Sequence, residues 1–577
     1  MRSLLKRKWF WILLVVVGLS FASRMWSRGP NIPPGSYLVV DLEGEYAEGP
    51  PRRLLAALLQ DGKSYVDLVE TLEKARRDAR LSGIIFRIGP LAAGWGQARE
   101  IRNSIRLLRE SGKKVVAYLD NEAGSGNLAY YIASAADSVY LPPGGTTMLN
   151  GLSANFVFLG GLWEKLDVAM EVQQLREFKT FGDMISRRDM SAAHREMANS
   201  LLDDLNDEFL ASIADGRRQA VTEVMATIDS CPTSAGEYVE ANLADRVAFF
   251  DEMLTELGGG LRVNPVRDRD YSRVAPETLG LGGSGEKIAL IHAVGNIVGG
   301  DQPRGGAFGS TIGSRTLSRA FRQAIEDDSI KAIVFRVDSP GGSAMASDQV
   351  WHALRLAREK KPVIASLGNV AASGGYYMAS GADKIFAESG TLTGSIGVVL
   401  LKPNFAGLLT RTGIGSETLG RGRYSRVMDV TKAMDRTEVA LVQTQMADVY
   451  QRFLDRVAES RGMTVEEVDA LGGGRVWTGR QAKQRGLIDE IGGLSDAIRA
   501  AAEQGGIKEP DRLDLVHFPE AESPLQEVLA SYRSEALAEV LAMVPELKLD
   551  FLARHLGLYS AFDPGVYAIP GALVDVR

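Results

Sequence analysis

One succession of segments occurs twice in this chain, and that repetition constrains its architecture more than any single motif. Gly83-Ile84-Ile85-Phe86-Arg87-Ile88 returns as Ala332-Ile333-Val334-Phe335-Arg336-Val337, an offset of 249 at the phenylalanine. Tyr130-Tyr131 with Ala136-Asp137 returns as Tyr376-Tyr377 with Ala382-Asp383, an offset of 246 at the first tyrosine. The apolar runs at 37–40 and 114–117 match 288–291 and 362–365, and Thr478-Gly479-Arg480-Gln481 echoes Ser234-Ala235-Gly236-Glu237. Repeats of this length are whole domains rather than solenoid units. Within the first copy, strand-like runs at 37–40, 83–88 and 114–118 alternate with helical patterns at 65–80, 97–111 and 128–136. That alternation predicts βαβ units, a parallel sheet and an α/β fold class. The expected units are copies at 31–279 and 288–505, joined by a glycine-rich hinge at 280–287 that reads as flexible coil. Residues 506–577 form an extension of unassigned role; Leu525, Val528, Leu529, Tyr532, Leu537, Val540 and Leu541 space as an amphipathic helix for packing or oligomer contact.

At 577 residues the chain is too long for one core, and 45% hydrophobic with 24% charged residues is ordinary globular composition. A net charge of −7 argues against a phosphate-binding surface, so no nucleic-acid partner is expected. The lone Cys231 forms no intrachain disulfide and reads as a small buried filler. The five histidines lack metal-ligand spacing, and neither a metal nor a cofactor is expected.

Arg2, Lys6, Arg7 and Lys8 precede an uncharged run at 9–22. Cation-then-apolar order is an export signature that keeps the basic end in the cytoplasm. The run is short for a span of about 20 residues, and Ser20, Phe21 and Ala22 would serve as a signal-peptide cleavage site. Trp9, Trp11 and Trp26 at its edges favour a retained single-pass anchor over residues 1–30. Either way the bulk of the chain is expected outside the cytoplasm.

The chemistry-bearing stretch is Asn369-Val370-Ala371-Ala372-Ser373-Gly374-Gly375-Tyr376-Tyr377. One hydroxyl stands among small residues, followed by two glycines, as an exposed nucleophile at a strand-to-helix turn requires. The plain alternative is a tight packing turn. The first copy has Asn127 at that position, so the fold does not demand a hydroxyl there. A serine needs a base. His292 reads as a structural strand-end residue and His352 as a solvated helix residue, which leaves a histidine triad unsupported. Lys179, flanked by Phe178 and Phe181, is the candidate, because burial lowers an ammonium pKa. The second copy carries Arg423 there, and arginine cannot serve as a base. One composite site per chain follows, with Ser373 from one copy and Lys179 from the other. Asp338-Ser339-Pro340-Gly341-Gly342 offers backbone N–H groups for an oxyanion hole at Gly341 and Gly342, with Gly374 as a further donor. Ser395, in Thr393-Gly394-Ser395-Ile396-Gly397, either orients the lysine amine or simply shapes a polar turn.

Together, DSPGG at 338–342, AASGGYY at 371–377, LTGSIG at 392–397, FKTFGDMISRRDMS at 178–191 and VWTGRQAKQRGLID at 476–489 resemble the long, duplicated form of the signal peptide peptidase (SppA) family. These are Ser-Lys proteases of the wider ClpP/crotonase superfamily. The resemblance implies two tandem ClpP/crotonase-like ββα domains behind a single N-terminal transmembrane helix. It implies Ser373 as nucleophile, Lys179 as general base, and Ser395 beside the lysine. It further implies a homotetramer on the outer (periplasmic) face of the cytoplasmic membrane, with signal-peptide remnants and other short hydrophobic peptides as substrates. A crotonase-like acyl-thioester enzyme and an inactive anchored peptide-binding scaffold are the alternatives; export argues against the first, and intact Ser373 and Lys179 against the second.

Overall fold

A computed structural model of the chain describes residues 30–49, 63–120, 126–145, 147–283, 285–302 and 310–520, together with the backbone of 567–568 and 575–576. The expected anchor at 9–22 and the expected amphipathic helix at 525–541 lie outside the described residues. Among the described residues no helix is long and apolar enough to cross a membrane.

The duplication is visible strand by strand. The first copy builds a parallel sheet in the order Arg246–Val247, Ser138–Leu141, Lys114–Leu119, Leu81–Ala92, Ser36–Glu45, Pro265–Arg267. The second repeats it with Glu490–Ile491, Lys384–Ala387, Val363–Ala372, Ile330–Ser339, Lys287–Val294 and Asp514–Phe518. The second sheet thus extends past residue 505, and Asp514–Phe518 closes its edge as Pro265–Arg267 closes the first. These central strands are apolar on both faces, as parallel strands covered by helices must be.

Partly buried polar contacts repeat too, which ties the duplication to side-chain chemistry. Arg217 donates to Asp245 at 2.9 and 3.1 Å, and Asp245 accepts Val139 N–H at 2.7 Å. In the second copy Arg461 donates to Asp489 at 2.8 and 2.7 Å, and Asp489 accepts Ile385 N–H at 2.8 Å. Each aspartate pins a strand end onto the long helix of its copy, Ala192–Arg217 or Arg436–Arg461.

Two local expectations change. Cys231 is half-buried and caps the helix Val221–Ser230 with φ 50°, so it is a turn residue rather than core filler. The hinge is docked: Leu281 is buried, and Gly283 N–H donates to Asp514 at 3.0 Å. His352 is solvent-exposed, as expected. His292 sits within the strand Lys287–Val294 and stacks on His517, with ring nitrogens 3.2 Å apart.

The two copies meet through a buried charge cluster. Arg336, fully enclosed, donates to Glu48 at 2.9 Å and Glu100 at 2.7 Å, both from the first copy. Gln97 adds a bond to Glu48 at 2.8 Å, and its backbone N–H donates to Asn369 at 3.0 Å. Asp204, on the long helix of the first copy, accepts from Thr478 at 2.5 Å and Arg480 at 2.9 Å. These contacts set the register between copies, and with it the distance from Lys179 to Ser373.

Candidate active site

Ser373 stands at the elbow between the strand Val363–Ala372 and the helix Gly374–Ser380. Its backbone is strained, with φ 55° and ψ −119°. A non-glycine residue held there costs about 1–3 kcal/mol and persists only where its surroundings over-determine it. The surroundings are its N–H donating to Gly394 at 2.8 Å and its carbonyl accepting from Tyr377 at 2.8 Å. The glycines that follow are sterically required. A Cβ on Gly374 would lie 2.5 Å from Ser347 Oγ, and one on Gly375 would lie 2.6 Å from the Ser339 carbonyl.

The first copy has neither the hydroxyl nor the strain. Asn127 begins the helix Asn127–Ala133 without a positive φ. Its side chain donates to Asn150 at 3.0 Å and to the Gly151 carbonyl at 2.8 Å. Asn150 occupies the position that Ser395 holds in the second copy, at an offset of 245. Both serine positions are therefore asparagines in the first copy, bonded to one another.

Lys179 follows the strand Ala169–Gln174 and precedes the helix Phe181–Ser186. It is fully buried, and its Nζ lies 2.8 Å from Ser373 Oγ, 2.9 Å from the Ser395 carbonyl and 2.9 Å from Ser395 Oγ. Among the described residues no carboxylate forms an ion pair with it. Burial alone holds its pKa well below the ordinary lysine value. A neutral amine has two N–H groups and one lone pair. The two N–H groups match the Ser395 oxygens, and the lone pair is left to accept the Ser373 proton. The copy that supplies Arg423 leaves it solvent-exposed, against Tyr424.

Ser395 is itself at φ 52°, with its N–H bonded to the Arg475 carbonyl at 2.7 Å. Thr393 ties the same loop to the Ala371 carbonyl at 2.7 Å. On the oxyanion side, Gly341 N–H donates to Ser339 Oγ at 3.2 Å, so this amide already has an acceptor. The Gly341 carbonyl accepts Ile297 N–H at 2.9 Å, and strand alternation then turns the Gly342 N–H to the opposite side, away from Ile297. Gly374 opens a helix, so its N–H has no acceptor within that helix. Behind the loop, Asp338 accepts Val370 N–H at 2.9 Å and is pushed up to about 7, first by burial and then by Glu48.

Two supporting residues were not singled out from sequence. A Cβ on Gly474 would lie 2.4 Å from Lys179 N, and one on Gly397 would lie 3.3 Å from Lys179 Cδ. The signal was present, as the run Gly472-Gly473-Gly474 and the closing glycine of the Ser395 motif.

The peptidase family S49 model matches this chain twice, at residues 107–264 and 355–508. The chain is 35% identical to the chloroplastic serine protease SPPA of Arabidopsis thaliana, over 91% of this chain and 77% of that one. It is 30% identical to protease 4 of Salmonella typhi, over 93% and 89%. It is 29% identical to protease 4 of Haemophilus influenzae, over 85% and 82%. With a buried serine–lysine contact shared between two matched repeats, and relatives of this likeness along nearly its whole length, the chain belongs to peptidase family S49.

Proposed function

We propose that the protein is a serine endopeptidase with a Ser373–Lys179 dyad, acting on signal-peptide remnants and other short, extended, hydrophobic peptides. The observation that carries this reading is the 2.8 Å contact between Lys179 Nζ and Ser373 Oγ, in a site that excludes solvent from both groups. Neutral Lys179 takes the Ser373 proton as Oγ attacks the scissile carbonyl. Gly342 and Gly374 N–H groups hold the oxyanion while Gly341 makes the turn; one such donor contributes about 10²–10³ in rate. The Lys179 ammonium returns the proton to the leaving amine. Water, deprotonated by Lys179, then hydrolyses the acyl-serine ester. Ser395 keeps the amine aimed at Ser373.

Each copy is read as a ClpP/crotonase-like ββα unit. The basic tip and apolar run at 1–30 are read as a single-pass anchor, with the catalytic bulk on the outer face of the cytoplasmic membrane. A homotetramer follows from the family resemblance. Hydrolysis of casein and of a fluorogenic hydrophobic peptide tests the reading. Wild-type protein cleaves both and Ser373→Ala cleaves neither; equal rates in the two proteins overturn it.

A further inference from the structure

The strand that carries the nucleophile bulges just before it. Val337 pairs with Leu367 and Ser339 pairs with Ala371, so two steps along Ile330–Ser339 face four along Val363–Ala372. The stretch Gly368-Asn369-Val370 thus stands opposite Asp338 alone. After Ser339 the first of these strands leaves the main sheet, and Gly342–Ser343 joins a small second sheet with Asn296–Val298 and Val399–Asn404. The bulge therefore lies where the chain segments bearing the nucleophile and the oxyanion donors part. Bulges beside active sites re-aim side chains, and the backbone groups they leave out of the ladder need other partners.

Each of the three bulge residues has a bond that involves a side chain. The Gly368 carbonyl accepts from Thr391 Oγ1 at 2.7 Å. Asn369 Oδ1 accepts the Gln97 N–H at 3.0 Å and so caps the helix Trp95–Glu110 of the first copy. Val370 N–H donates to Asp338 Oδ1 at 2.9 Å. Of these three bonds, only the last reaches the strand that leads to Gly341 and Gly342. Asp338 is itself fixed, because its carbonyl accepts the Gly295 N–H at 2.9 Å and the adjoining Ser339 Oγ donates to the Gly295 carbonyl at 2.7 Å. The turn is also tightly packed. A Cβ on Gly368 would lie 3.1 Å from Asp338 Cβ and 3.3 Å from Glu48 Oε1, so the first copy presses on the same place. The counterpart of Asp338 in the first copy is Gly89, at the offset of 249. The copy that lacks the nucleophile therefore lacks this carboxylate as well.

We propose that Asp338 is a positioning residue for the reaction: its carboxylate latches the bulge and so fixes Ser373 relative to the Gly342 and Gly374 donors. The latch acts through Val370, three residues before Ser373, and touches no reacting atom. It rests on the peptidase reading for the identity of the site. Removing the acceptor frees the bulge to shift against the oxyanion strand, and a displacement of about 1 Å at a reacting group costs about 10²-fold in rate. The latch requires an acceptor rather than a full charge. Burial and Glu48 hold the Asp338 carboxyl up at about 7, and an asparagine side-chain carbonyl can accept the same N–H.

The test compares full-chain wild type, Asp338→Ala and Asp338→Asn in kcat and KM on a fluorogenic hydrophobic peptide, with the rate of fluorophosphonate labelling of Ser373 as a second readout. Asp338→Ala is expected to lower kcat by about 10²-fold with KM within about twofold of wild type, since the loss falls on the transition state. Labelling is expected to slow in parallel. Asp338→Asn is expected to recover kcat to within about tenfold of wild type, because its carbonyl restores the acceptor. Should Asp338→Ala fail to fold, Asp338→Leu keeps a branched side chain without an acceptor and takes its place. A kcat for the acceptor-free variant equal to wild type overturns the proposal, and so does an Asp338→Asn as slow as Asp338→Ala. A merely structural role would lower Tm and leave kcat and the labelling rate of the folded protein unchanged. A wild type that neither cleaves nor labels removes the peptidase reading and the latch with it; an active wild type beside an equally active Asp338→Ala removes the latch alone.

Discussion

Ser373 and Lys179 each carry a cost that only the other copy makes useful. The serine is held at φ 55°, and the lysine is enclosed with no carboxylate paired to it among the described residues. Lys179→Ala is expected to lower kcat/KM by about 10²–10⁴-fold, the usual contribution of a general base, as measured on a fluorogenic peptide. The pH dependence has a definite sign. Catalysis needs the neutral amine, so kcat/KM rises with pH through the depressed lysine pKa and reaches its plateau below the ordinary value of 10.5. Stability follows the same group. Between its folded pKa and that of the unfolded chain, only the unfolded state binds the proton, so stability rises with pH. The Tm difference between wild type and Lys179→Met is accordingly expected to shift toward wild type as pH rises from 7 to 10; a difference that stays flat counts against an enclosed, neutral lysine. The meeting of Ser373 and Lys179 was legible because the degenerate copy singled them out, with Asn127 and Arg423 in their places. The strain at Ser373 was not legible, since no residue type announces a positive φ at a serine.

At the level of elements, the dyad depends on where loops come to rest. The glycine run at 472–474 lies against the Lys179 backbone, with Gly474 at φ 86° and its missing Cβ 2.4 Å from Lys179 N. Gly474→Ala is expected to displace the lysine and to lower kcat/KM by about 10²-fold, the cost of misplacing a reacting group by about 1 Å. Circular dichroism would show the fold retained; unchanged kinetics would mean that the loop yields without moving Lys179. Strands and helices were readable from periodicity in both copies, because central parallel strands are apolar throughout. The small sheet was not readable. Gly342–Ser343, Val399–Asn404 and Tyr567–Ala568 lie far apart in sequence and are too short to show a period. The expected oxyanion glycines illustrate the limit: the Pro-Gly-Gly run marked the turn, but only the fold shows Ser339 engaging the Gly341 N–H.

At the scale of the whole molecule, the composite site needs the two copies locked in one register, and Arg336 with Glu48 and Glu100 supplies the most buried part of that lock. Its counterpart in the first copy, Arg87, is half-exposed and pairs with Asp120. The sequence match between the two arginines concealed this difference, which arises only when the copies dock. Arg336→Met would leave Glu48 and Glu100 buried without a counter-charge, at a cost of about 3–5 kcal/mol. Denaturant unfolding at pH 8 is expected to show it. The loss shrinks toward pH 5, because Glu100, whose carboxyl burial already holds above the ordinary range, is then protonated and needs no counter-charge. The central claim is that one nucleophile from the second copy is activated by one lysine from the first. Its most direct measurement is the rate of fluorophosphonate labelling against pH, with the adduct located by mass spectrometry. The account predicts a single adduct on Ser373, forming faster as pH rises to a plateau below 10.5, and no appreciable labelling in Lys179→Met. An adduct on another residue, or labelling of Lys179→Met at the wild-type rate, would contradict it.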